Sequence, residues 1–177
     1  MLRPFDCIFT WPKRWNFISW FITWITGGGP SHVRLYIKGL GIKDENGREY
    51  DFIEATWPKV RFGFMEEVDP KLYRIEYGRH SELPYPVPQE LEDKAIAEMK
   101  RLIGVLYDLG ELAFSQFFDE LGIDHIDHSD PERPVCSSLA EHILGVLTYF
   151  FCPSDQLVSP ADIMRSKFYV KVKKGGD

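Results

Sequence analysis

A proline-stiffened connector, Leu83-Pro84-Tyr85-Pro86-Val87-Pro88, divides this 177-residue chain into halves of different hydrophobic period. Ahead of it, apolar residues alternate in short runs. Behind it, they recur at helical spacing. Strands first and helices after them predict an α+β fold, an antiparallel sheet with helices packed on it. With no repeat or composition break, residues 1–177 are expected to form a single domain.

The first half predicts strands over Asp6 to Thr10, Ser31 to Lys38, Glu49 to Ala55, Val60 to Phe64 and Leu72 to Tyr77, in a contiguous antiparallel meander. Glu45-Asn46-Gly47 marks a hairpin tip. Residues 13–26 read as an aromatic-rich helix, stopped by Gly27-Gly28-Gly29-Pro30. In the second half, Pro88 to Leu106 predicts an amphipathic helix with Leu91, Ala95, Met99, Leu102 and Ile103 on one stripe. Leu109 to Leu121 predicts a second helix and Val135 to Phe150 a third. A short helix opens at Ser159-Pro160, with serine as N-cap and proline at the first helical position. Phe168 to Val172 closes the chain as a strand.

Net charge is −6, from 21 basic and 27 acidic residues, which argues against a nucleic-acid partner. Three cysteines, Cys7, Cys136 and Cys152, make no disulfide framework and point to a reducing compartment. The apolar run from Trp15 to Ile25 is too short to span a bilayer and lacks a signal-peptide cleavage pattern, so the expected location is cytoplasmic. Pro12-Lys13-Arg14-Trp15 and the aromatics after it leave two readings for residues 13–26, core packing or peripheral membrane contact. The sequence does not fix the oligomeric state.

Two residues stand in settings suited to acyl-transfer chemistry. Cys136, in Pro134-Val135-Cys136-Ser137-Ser138-Leu139, is placed at the opening turn of an apolar helix, where the helix dipole favours a thiolate. It also reads as a small core residue. His32 begins a strand whose alternation puts Val33, Leu35 and Ile37 on one face and His32, Arg34 and Tyr36 on the other. It also reads as a solvated strand-end histidine. Glu54 interrupts the apolar strand Phe52-Ile53-Glu54-Ala55. It becomes the acceptor that fixes the tautomer of His32 if the hairpin sets the two strands side by side. Arg34 shares the face of His32. A guanidinium there lowers the pKa of a nearby thiolate and can grip a substrate carboxylate; the competing reading pairs it with Glu54 as scaffold. Asp124-His125-Ile126-Asp127-His128-Ser129-Asp130 crowds metal-ligand types at a spacing that matches no defined site. It is read as a polar loop, with no metal and no organic cofactor expected. Cys7 and Cys152 are read as structural.

The ordered segments resemble the circularly permuted, YiiX-like branch of the NlpC-type papain-like cysteine hydrolases. Asp6-Cys7-Ile8 resembles the opening Gly-Asp-Ile strand. Gly29-Pro30-Ser31-His32-Val33-Arg34-Leu35-Tyr36-Ile37 resembles the Ser-His-Val-Gly-Ile-Tyr-Ile strand. Phe52-Ile53-Glu54-Ala55 resembles Ile-Glu-Ala, and Tyr107-Asp108 with Val135-Cys136-Ser137-Ser138-Leu139 resembles Tyr-Asp and Tyr-Cys-Ser-Glu-Leu. Val158-Ser159-Pro160-Ala161-Asp162-Ile163 matches the closing Ser-Pro-x-Asp turn. The resemblance covers almost the whole chain. It implies Cys136 as nucleophile, His32 as base and Glu54 as the group orienting His32, with histidine ahead of cysteine as the mark of the permuted branch. Arg34, Tyr36, Tyr107 and Ser137, in these same motifs, are the candidate substrate-binding residues. The chain departs from the pattern at Phe5, where glycine is usual, at Arg34, where a small residue is usual, and at Ser138, where glutamate is common. The implied function is thiol-dependent hydrolysis of a peptide or peptidoglycan-type amide. The alternatives are a lipid acyl hydrolase or acyltransferase working on lipid esters at a membrane surface, and a non-enzymatic binding module on the same fold.

Overall fold

Six antiparallel strands, in the order β4-β3-β2-β1-β5-β6, form the sheet of the computed structural model, which describes residues 1–13, 29–106, 135–152 and 158–173. The strands are β1 (Cys7–Pro12), β2 (His32–Tyr36), β3 (Phe52–Thr56), β4 (Lys59–Gly63), β5 (Tyr73–His80) and β6 (Tyr169–Val172). A 3-10 turn, Met65–Glu67, follows β4. The described helices are α1 (Gln89–Leu102), α2 (Cys136–Val146) and α3 (Pro160–Arg165). This is the expected α+β class. All but Lys13 of the helix expected over 13–26, the helix expected over 109–121, the polar 124–130 stretch and Tyr107 lie outside the described residues.

Alternation sorts β2 as the sequence requires. Val33 and Leu35 are buried in the main core with Ile53, Ala55, Met99, Leu139 and Ile143, where α2 packs on β2 and β3. That burial is the main source of stability, at about 25 cal/mol per Å² of apolar area removed from water. The opposite sheet face carries a smaller cluster of Ile8, Phe52, Val68 and Tyr77, with Tyr36 against it.

The contiguous meander is corrected at β5, which pairs with β1 from Cys7↔Gly78 to Pro12↔Tyr73 and not with β4. Two features divert it. Residues 64–72 are too many for a tight hairpin. The free edge of β4 is also taken, because the Val60 N–H donates to Val105 O, the Gly104 N–H donates to Val60 O, and Lys59 bridges Leu106. The same contacts end α1 at Leu102, four residues before the expected limit, where Gly104 adopts φ +86° and turns the chain back to β4.

The helix expected over Val135 to Phe150 is also shorter, running Cys136–Val146. Thr148 takes φ +68°, a left-handed conformation that sequence reasoning assigns to glycine or asparagine. Phe5, where the resembled pattern has glycine, likewise sits at φ +70°. Its ring is fully buried, which offsets a backbone cost of about 1–2 kcal/mol. At α3 the sequence signals hold: Ser159 Oγ accepts the Asp162 N–H, and Asp162 Oδ2 accepts the Ser159 N–H.

Candidate active site

The splayed ends of β2 and β3 meet the start of α2. N–H groups of odd-numbered β2 residues point toward β3, as the bond from Ile37 N–H to Asp51 O shows. The β2–β3 ladder is paired at Leu35↔Ile53 and Tyr36↔Phe52 but goes no further toward His32. The Val33 N–H, next in line, donates to the sulfur of Cys136 instead. A second N–H, from Ser137 in the first turn of α2, donates to the same sulfur. Ser138 steadies this turn, because its Oγ accepts the Val135 N–H at 2.9 Å. It thus makes, with a hydroxyl, the reach-back bond that a glutamate at this helix position makes in a capping box.

Cys136 is 3% exposed and hydrogen-bonds the side chain of His32. On the other side of the ring, His32 Nε2 lies 2.8 Å from Glu54 Oε2, which leaves Nδ1 for the thiol. Burial works against the thiolate, but the imidazole and the two N–H donors outweigh it and lower the pKa of Cys136. Burial and the Arg34 charge oppose protonation of His32. Cys136 and Glu54 outweigh both and raise its pKa. A lowered thiol beside a raised imidazole favours the thiolate–imidazolium pair. The other cysteines move the opposite way. Burial, with Glu141 and Asp6 nearby, pushes Cys7 well up, and burial pushes Cys152 up to about 11.

Glu54 holds its charge despite being 2% exposed. Burial alone would raise its pKa, yet His32, Arg34 and Arg61 pull it down to about 2. Arg61 Nε lies 2.9 Å and Nη2 2.6 Å from Oε1. Arg34 Nε lies 2.7 Å from Oε2, an ion pair by distance whose N–H does not aim at the oxygen.

Of the residues expected at the site, the structure brings together Cys136, His32, Glu54 and Arg34. The Arg34 guanidinium meets Glu54 Oε2 at 2.7 Å and Thr10 Oγ1 at 3.2 Å, the contacts of the scaffold reading. The Ser137 side chain is 1% exposed with no partner for its Oγ among the described residues; only its N–H faces the thiol. Tyr36 lies four residues along β2 from His32, about 13 Å away, in the smaller cluster. Sequence reasoning missed Arg61. Its signal was the two-residue turn Trp57-Pro58, which fixes Thr56↔Lys59 and hence Glu54↔Arg61.

Among the described residues no three His, Cys, Asp or Glu side chains converge as a metal site, and the 124–130 stretch lies outside them. No described helix is long and apolar enough to cross a membrane. No family model matches the sequence. No curated protein matches it. Among solved structures, the metalloprotein yiiX of Escherichia coli superposes with a TM-score of 0.67 at 16% identity, over 98% of this chain and 97% of that one. At that identity the likeness establishes the architecture: the chain has the YiiX-like fold.

Proposed function

We propose that this protein is a thiol-dependent hydrolase that cleaves an amide bond, of peptide or peptidoglycan type, through Cys136, His32 and Glu54. The observation that carries the reading is the contact of a thiol with lowered pKa and an imidazole with raised pKa, the imidazole held from behind by a buried carboxylate. The Cys136 thiolate attacks the substrate carbonyl. The N–H of Cys136 itself, in the first turn of α2 and without an intrahelical partner by geometry, receives the oxyanion, at about 3 kcal/mol. Protonated His32 gives its Nδ1 proton to the leaving amine and a thioester remains on Cys136. Neutral His32 then takes a proton from water, hydroxide displaces the thiol, and the carboxylic acid is released. These steps use side chains, backbone N–H donors and water.

Denaturing mass spectrometry tests this with a panel of N-acyl anilides. An acyl adduct on the Cys136 peptide, absent from Cys136→Ala, is expected, with adduct formation at least about 100-fold slower in His32→Ala. Absence of adduct and turnover on amide and ester panels, with Cys136 inert to alkylation, would leave a binding module.

One observation favours a lipid-ester substrate as a second reading. Trp57 is 69% and Leu106 59% exposed. Trp57 follows β3 directly and β2 starts at His32, so both stand at one end of these antiparallel strands. Leu106 bridges Lys59 there. Exposed tryptophan and leucine beside a reactive thiol suit a membrane interface. Co-sedimentation with vesicles, lost in Trp57→Ser with Leu106→Ser, would favour that substrate over a soluble amide.

A further inference from the structure

Glu54 has more positive partners than the orientation of one imidazole requires. Oε2 faces His32 Nε2 at 2.8 Å and Arg34 Nε at 2.7 Å, and Oε1 takes two nitrogens of Arg61. Each arginine is itself anchored. Arg34 Nη1 donates to Thr10 Oγ1 on β1 at 3.2 Å, and its guanidinium lies 5.3 Å from the centre of the Phe52 ring. Arg61 Nη1 reaches Glu67 Oε2 at 2.6 Å, and Glu67 Oε1 accepts the Phe64 N–H at 2.7 Å. The bonds therefore run unbroken from the imidazole, through Glu54 and Arg61, to backbone at the 3-10 turn.

We propose that Arg34 and Arg61 are positioning residues: together they clamp the Glu54 carboxylate with Oε2 toward His32, and they balance its charge so that the Cys136–His32 pair works in a neutral frame. The inference rests on the hydrolase reading for its effect on turnover, but the clamp acts on thiol ionisation, which is measured without a substrate. A carboxylate held at one oxygen alone rotates about its last side-chain bond. With Arg61 on Oε1 the rotation is blocked and Oε2 stays in line with Nε2. A fixed tautomer and a fixed ring follow, and these keep Nδ1 on the sulfur.

The charge balance follows from the groups that face the pair. Glu54 and Glu67 supply two negative charges, and Arg34 and Arg61 supply two positive ones. The thiolate and imidazolium cancel each other. Removing either arginine leaves a net negative frame, which holds protons more tightly on both members of the pair. Both limbs of the thiol ionisation profile then move to higher pH, further for Arg34, which touches His32 electrostatically, than for Arg61.

The experiment is the rate of iodoacetamide alkylation at Cys136, peptide-mapped, from pH 4 to pH 10 on the full chain. The variants are Arg61→Gln, Arg61→Lys, Arg34→Gln and Glu67→Gln, each checked for folding by circular dichroism. Arg61 is 42% exposed, so its truncation leaves the core intact. In Arg61→Gln the rate on the near-neutral plateau is expected to fall about tenfold, with both limbs displaced upward. Lysine restores part of the rate, since it returns the charge without the two-nitrogen grip. Glu67→Gln loosens the anchor of Arg61 but leaves a net positive frame, so it gives a smaller plateau loss with both limbs displaced downward. A folded Arg61→Gln with wild-type plateau and limbs overturns the proposal, as does lysine performing no better than glutamine. Displaced limbs with no acyl adduct on any substrate would retain the clamp and remove the hydrolase. An acyl adduct in wild type with limbs unmoved in the variants would retain the hydrolase and remove the clamp.

Discussion

Three glutamates are buried among the described residues, and two of them, Glu54 and Glu141, have opposite characters. Glu54 on β3 meets His32, Arg34 and Arg61, and its pKa is pulled down to about 2. Glu141, in the middle of α2, is 8% exposed and meets backbone only. Burial pushes its pKa up to about 7, against the N–H groups of Phe151 and Cys152; its Oε2 accepts the Phe151 N–H at 3.1 Å, and its Oε1 has no partner among the described residues. Burial is common to both, so burial does not decide. What decides is whether charged partners replace the lost water. The splayed end of the sheet was built around charge. The interior of α2 tolerates a carboxyl that is neutral through much of the acid range. The cysteines divide in the same way: Cys136 sits among donors, and Cys7 is buried without them, with Glu141 and Asp6 adding to the rise.

The largest expected effect comes from neutralising Glu54. Glu54→Gln leaves Arg34, whose side chain is 12% exposed, without its anion, and takes from the half-exposed Arg61 one of its two carboxylates, which costs about 3 kcal/mol of stability by urea denaturation. It also removes the partner of the imidazolium, and turnover should fall about 100-fold or more. A double variant with Arg34→Gln should recover stability and not turnover. If Glu54→Gln were neutral for stability, the contrast between the two carboxylates would collapse.

Glu141→Gln is expected to act with the opposite sign. The carboxyl ionises near 4.5 in the unfolded chain and near 7 when folded, so between those values the folded state holds a proton that the unfolded state has lost. Wild-type stability therefore declines as pH rises from about 4.5 to 7 and is level above that. Glutamine keeps an acceptor for Phe151 and removes the decline, so the variant should gain up to about 3 kcal/mol at pH 8 and nothing at pH 4. Glu54 contributes the opposite slope. Its depressed pKa supplies stability above about 4.5 that is lost as pH falls toward 2. Wild-type stability from these two groups should peak between the two slopes, and Glu141→Gln should flatten only the upper one.

The thiols give a smaller but cleaner contrast. Cys152 is the more accessible, yet with a pKa near 11 only about one molecule in ten thousand carries its thiolate at pH 7. Iodoacetamide at pH 7 should label Cys136 at least about tenfold faster than Cys152 or Cys7. Faster labelling at Cys152 would mean that access outweighs ionisation.

What the sequence revealed of this arrangement follows from the range of each signal. Alternation within a strand is local, so His32, Arg34 and Tyr36 could be placed on one face, and Cys136 at a helix start, before any fold was known, whereas Glu54 joined them only on condition that the hairpin paired its strand with theirs. Cross-strand partners are one step removed. Arg61 was recoverable by counting from Trp57-Pro58, but only with β3 and β4 already paired. The pairing of β5 with β1 was not recoverable, because it depends on residues 104–106 capturing the edge of β4. Phe5 and Thr148 escaped for a different reason. Each holds a left-handed conformation without the glycine that marks it, so the backbone carries a cost that packing offsets and no residue-type rule exposes.

The smallest expected effect sharpens the comparison most selectively. Thr148 is β-branched at φ +68°, a conformation that costs a residue with a Cβ about 1 kcal/mol or more and costs glycine little. It stands in the turn after α2, where its N–H donates to Gly145 O and the chain reverses toward Phe151. That reversal delivers the Phe151 N–H to Glu141, so Thr148 belongs to the structural carboxylate and not to the charged site. Thr148→Gly relieves the backbone, but glycine gains freedom in the unfolded chain that offsets part of the benefit. The net expectation is a gain of about 0.5 kcal/mol in denaturant midpoint analysis, with the alkylation profile of Cys136 unchanged at every pH. A displaced profile would show that the far end of α2 communicates with its first turn, and the two carboxylates would no longer be separate devices.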